Sequence, residues 1–135
     1  MTNSESIIYA RSLFDNGYNC AQSVAIAVFA RFMEKEDIPR KMASGFGGGI
    51  AGEKEICGAL SGSVMALGWF LSDKDEKNTA INEYISAFRQ RFGHTRCAAL
   101  IEGIPLPLRH KHCAEFVEFS LEWCVNKLEE LHYSK

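Results

Sequence analysis

Five cysteines stand in this chain of 135 residues, and four of them share one kind of position. Cys20 follows Asn19 directly, and Cys57 opens a helical pattern. Cys97 lies two residues after Thr95, and Cys113 lies near the start of the last helical stretch. A helix start presents unpaired N–H groups and a partial positive charge, and both favour thiolate over thiol. A cysteine placed there can drop by one to several units from about 8.5 and act as a nucleophile or metal ligand. Cys124 differs. Its neighbours Leu121 and Leu128 fit a buried helix face, and core packing accounts for it.

Four such thiols allow more than one chemistry. A dithiol/disulfide couple needs two cysteines close together, one of them with a depressed pKa. An iron–sulfur cluster needs four thiolates, which can come from scattered positions if the fold gathers them. The residues do not separate these two. Zinc has the weaker case, because structural zinc ligands usually come in close pairs such as Cys-x-x-Cys, and no such pair exists here. His94 and Cys97, like His110 and Cys113, have the spacing of neighbours on a helix face. Histidines near helix ends more often cap or face solvent.

Between Gly45 and Gly52 the chain carries five glycines, a run that no regular helix favours. Gly47-x-Gly49-x-x-Gly52 formally satisfies a dinucleotide fingerprint, but neither a preceding strand nor a βαβ unit surrounds it. The plain reading is a tight turn that permits close backbone packing. The functional reading is that Gly47, Gly48 and Gly49 help bind an anion or a sulfur ligand beside Cys57. That neighbour makes Cys57 the expected most reactive thiol, with Glu53 and Glu55 opposing it weakly and burial opposing it strongly.

The elements that must position these residues read as helices throughout. Ser4 is the expected cap of a first helix ending at Asn16-Gly17, and Asn19 caps a second that runs to about Phe32. Pro39 fits the first turn of a short helix to about Ser44. The pattern over Glu55 to Leu71 carries a stripe of Gly58, Gly62 and Ala66, which lets another backbone approach closely. This is the expected central and most buried helix. A further helix ends at Phe92 before Gly93, Thr95 caps a short one through Ile101, and the last spans about Arg109 to Leu131. The expected fold is therefore all-α, a compact single domain over residues 1–135, a bundle of about six helices around a glycine-rich central loop.

The cysteines and their flanks resemble the C_GCAxxG_C_C family of redox-active proteins over nearly the whole chain. Asn19-Cys20-Ala21-Gln22-Ser23 is similar to its first cysteine motif, and Ala43 to Gly49 to its glycine-rich loop. Cys57-Gly58-Ala59-Leu60-Ser61-Gly62 matches the core, although the family label writes its first two letters in the other order. Arg96-Cys97-Ala98-Ala99-Leu100 and His112-Cys113 match the third and fourth cysteines, and Cys124 lies outside the pattern. The resemblance implies a redox role for Cys20, Cys57, Cys97 and Cys113. It also implies a partner that is either a redox protein or associated with a transporter.

Charge and length narrow the alternatives. Fifteen basic residues against seventeen acidic ones leave −2 with no basic block, so a nucleic-acid partner has no electrostatic support. The start, Met1 to Ser6, has no basic residue and no apolar run after it, which argues against a secretory signal and for the cytoplasm. Ile56 to Ser72 is uncharged but too short and too glycine-rich for a membrane span. The expectation is one centre built by Cys20, Cys57, Cys97 and Cys113, running thiol–disulfide or electron-transfer chemistry. The alternative is a non-catalytic metal-binding or ligand-carrier module serving a transporter or sensor.

Overall fold

Local signals set most helix ends. In the computed structural model, which describes residues 1–131, Thr2 rather than Ser4 caps α1 (Asn3–Asp15). Its hydroxyl accepts from the Glu5 amide at 3.1 Å while the Glu5 carboxylate accepts from the Thr2 amide at 2.8 Å, a reciprocal capping box. Asn19 and Gln22 make the same pair of bonds, at 2.8 and 3.1 Å, at the start of α2 (Cys20–Arg31). α3 (Asp37–Met42) begins two residues before Pro39, which lies in its first turn as expected. α4 (Gly58–Phe70) and α5 (Lys74–Phe92) follow, and α5 stops at Gly93 in the left-handed conformation, as expected. Arg96, not Thr95, precedes the four-residue α6 (Cys97–Leu100), and α7 (Arg109–Glu130) closes the described chain.

The fold is all-α, with seven α-helices among the described residues rather than about six. The only ladder contact among them is a single antiparallel bridge between Ile56 and Arg96. No helix of the described residues is long and apolar enough to cross a membrane.

The most enclosed helix is α2, not α4. α1, α4 and α7 pack on it, and α3 covers a further side. Ser23 through Phe29 are consecutively buried, so no face of α2 is left for solvent. The expected small-residue stripe of α4 is real and faces α2. A Cβ added at Gly62 would lie 2.4 Å from the Ala21 carbonyl oxygen and 2.9 Å from its Cα. Only a residue without a side chain lets the two backbones meet there.

α5 and α7 complete the core around a buried polar knot. The Tyr84 hydroxyl lies 2.6 Å from Ser120 Oγ and donates to the Ala59 carbonyl at 3.3 Å. Ser63 Oγ donates to the same carbonyl at 2.7 Å. Cys124 is fully buried here, as expected of a core residue, and its thiol meets Ser63. Burial pushes that thiol up to about 12.

Two outcomes follow from this packing. Gly62→Leu must force α2 and α4 apart and lower stability by about 1–3 kcal/mol or more. Gly68, on the exposed side of α4 with nothing within 4 Å of an added Cβ, accepts alanine with a gain of about 0.5–1 kcal/mol. Urea unfolding of the two variants checks both, and equal effects would contradict this packing. Cys124 supplies the second outcome. Its native pKa is raised, so its contribution is whole below the unfolded value of about 8.5 and is lost as pH climbs toward 12. Between those limits stability falls by about 1.4 kcal/mol per pH unit for each such thiol. Cys124→Ala should lose one thiol's share of that slope; an unchanged slope would show that the fold does not hold Cys124 neutral.

Candidate functional site

Three features of the chain bring Cys20, Cys57, Cys97 and Cys113 to one end of the α2–α4–α7 packing. The first is the α2–α4 approach. A Cβ added at Gly58 would sit 3.1 Å from Cys20 Cβ and 3.1 Å from the Ala21 nitrogen, which sets Cys57 and Cys20 beside each other. The second is a backbone clip. The Cys57 amide donates to the Thr95 carbonyl at 2.9 Å, the Cys97 amide to Glu55 at 2.6 Å, and the Ala98 amide to Lys54 at 3.1 Å. This clip draws residues 54–57 into extended pairing, so α4 begins at Gly58 rather than Glu55, and Cys57 becomes its N-cap residue.

The third feature fixes the start of α7. His110 stacks on Phe14, with ring centroids 4.2 Å apart, and bonds Asp15 at 2.8 Å. His112 bonds the Leu100 carbonyl at 3.0 Å, and Arg109 Nε donates to the Ile104 carbonyl at 3.1 Å. His110 is thus committed to α1, not to the cysteines. Among the described residues no group of three or more His, Cys, Asp or Glu is spaced to hold a metal ion.

The four thiols feel one another. Cys20 makes a hydrogen-bonding contact with Cys113, and the charges of Cys57, Cys97 and Cys113 all reach it. That contact, burial and the neighbouring sulfurs push the Cys20 thiol well up. The same contact lowers Cys113 below its ordinary value, and the Arg109 guanidinium adds to the drop against the opposing effect of burial. Arg109 stands one helical turn before Cys113 on α7, where side chains meet. Cys97 is half-buried and raised by burial and by Cys113, with Lys54 and Arg109 pulling the other way. All five cysteines are free thiols.

Cys57 is enclosed, the condition that most strongly opposes the reactivity expected of it. It is 4% exposed, and burial pushes its thiol up to about 12. The Ala59 and Leu60 amides favour its thiolate but close no capping hydrogen bond, and desolvation outweighs them. The thiol held lowest is Cys113, half-buried and fifth in its helix. The signal that could have found it was Arg109, four residues earlier.

The glycine loop is a tight turn packed against the start of α2 and the segment before Cys57. Gly48 through Gly52 all have positive φ, Ile50 and Ala51 included. At Gly49 a Cβ would lie 2.5 Å from the Glu55 nitrogen, so the turn folds back on the segment that leads to Cys57. Gly47 seats against the Asn19 side chain, which also donates to the Ser44 carbonyl at 3.1 Å. The amides of Ile50 through Glu55 are spent on loop carbonyls, whereas those of Gly47, Gly48 and Gly49 make no backbone hydrogen bond among the described residues.

Comparison with known proteins matches residues 18–127 to the family described as "Putative redox-active protein (C_GCAxxG_C_C)". That span contains all four cysteines, the loop and the clip. A relative from Archaeoglobus fulgidus, named only "Uncharacterized protein", is 29% identical over 136 aligned residues, covering 87% of this chain and 89% of its own. No solved structure matches. With most of its length inside the match, the chain belongs to the C_GCAxxG_C_C family.

Proposed function

We propose that this protein is a dithiol/disulfide redox couple in which Cys113 is the attacking thiolate and Cys20 the resolving thiol. What supports this reading is the pairing of the Cys20 and Cys113 side chains, which raises Cys20 and lowers Cys113, with the Arg109 guanidinium one turn away adding to the drop at Cys113. A thiolate is the nucleophile in exchange, and a thiol within contact of it is the natural second partner.

The step balances as follows. The Cys113 thiolate attacks one sulfur of a disulfide, that S–S bond breaks, and one thiolate leaves. Cys20 then gives up its proton to a departing thiolate and attacks the Cys113 sulfur, releasing the second half. The protein loses two electrons and gains a Cys20–Cys113 bond, and the partner disulfide becomes one thiol and one thiolate. Cys57 and Cys97 sit close enough for their charge to oppose a second ionisation, so the centre favours one anion at a time.

Mild oxidation of anaerobically reduced protein with one equivalent of diamide, followed by denaturing thiol titration and peptide mapping, tests this. The expected product retains three of the five thiols and joins the Cys20 peptide to the Cys113 peptide. Cys113→Ser and Cys20→Ser should each abolish that product, while Cys124→Ser leaves it intact. A disulfide joining any other pair would overturn the reading. So would visible absorption with stoichiometric iron, or bound zinc, lost on substituting Cys20 or Cys113.

A further inference from the structure

Resting on the dithiol reading above, we infer that the oxidant matched to this site is a small disulfide carrying a carboxylate a few bonds from its sulfur, read by Arg109 and Lys54. Arg109 is one turn from Cys113, and Lys54 is fixed beside Cys97 through the bond from the Ala98 amide to its carbonyl. Among the described residues neither cation has a carboxylate within ion-pair distance, in contrast to Arg96, which Glu55 meets at 3.6 Å across the same clip. Arg109 is half-buried, its Nε donates to the Ile104 carbonyl, and its charge reaches both Cys113 and Cys97. Lys54 is exposed.

Side chains one turn apart meet at about 5–6 Å, so the charge read by Arg109 must lie within a few ångström of the attacked sulfur. A short carboxylate-bearing disulfide places its charge at that reach. Selectivity for an anion must also be local, because the whole chain carries −2 and repels anions at long range.

The test is the rate at which the reduced protein is oxidised by three alkyl disulfides of similar length: anionic dithiodipropionate, neutral hydroxyethyl disulfide and cationic cystamine. Each rate is divided by that of a free small thiol under the same conditions. The expected order is anionic, neutral, cationic, with the first about tenfold or more faster than the last, shrinking at about 0.5 M salt. Arg109→Gln slows all three, because Cys113 loses its cation, so the ratio is the readout. Arg109→Gln and Lys54→Gln should each cut it by about threefold, and Lys74→Gln on α5 should leave it unchanged. Equal normalised rates in the wild-type chain, or an unaltered ratio in both variants, would overturn the inference. So would faster oxidation by a protein disulfide such as insulin than by dithiodipropionate. If hydroxyethyl disulfide yields the Cys20–Cys113 bond while charge makes no difference, only the substrate class fails. If none of the three disulfides yields that bond, the dithiol reading itself fails.

Discussion

The close approach of α2 and α4 is the constraint on which the rest of the structure depends. Two helix backbones meet where Gly58 and Gly62 face Ala21, with no room for a side chain on the α4 side. That contact gains little hydrophobic area of its own. It sets Cys20 against the first turn of α4, which the chain enters through Cys57 in a non-helical conformation. The segment before α4 is paired, and residues 95–98 supply the partner. Cys97 is brought beside Cys57 by that pairing, through the bond from its amide to the Glu55 carbonyl. The buried Tyr84 and Ser63 hydroxyls lock the same first turn from the other side by donating to the Ala59 carbonyl, and Ser120 pairs with the Tyr84 hydroxyl.

Electrostatics at the centre is a competition between helix starts and burial. A helix N-terminus carries about half a charge and is worth about 0.3–1 kcal/mol at an exposed position. Full burial of a thiol can cost several pKa units, each about 1.4 kcal/mol. Burial therefore wins at Cys57, in spite of its N-cap position. Cys113 escapes because it is only half-buried and has two partners, a neutral thiol that contacts its sulfur and a guanidinium one turn away. At Cys113 the Cys20 thiol gives the larger lowering and the Arg109 guanidinium adds to it. The neighbouring sulfurs, once charged, also oppose ionisation of Cys20 and Cys97.

Much of the fold was legible in the residues because its signals are local. Asn19 with Gln22 and Gly93 after Phe92 each mark a helix end within a few positions. The position type of the cysteines was legible for the same reason: Cys20 and Cys97 open their helices, and Cys57 caps one. What escaped was non-local. Nothing near Glu55 reveals that it will bond Cys97, so α4 read as starting a turn too early. The enclosure of α2 depends on what the other helices bring to it, and α4, with its glycine stripe, looked like the better centre. Burial of Cys57 was invisible for that reason, and so was the Cys20–Cys113 contact between residues far apart in the chain.

The account stands most directly on the claim that Cys20 holds Cys113 as a thiolate. The pH dependence of Cys113 alkylation in reduced, metal-free protein measures this, with the modified site followed by peptide mass. Cys113 should alkylate fastest of the five thiols at neutral pH, with a midpoint below its ordinary value. In Cys20→Ala that midpoint should rise, because the thiol that favours the anion is gone. A Cys113 midpoint that is ordinary or raised in the native chain, or one that Cys20→Ala leaves in place, would contradict the account.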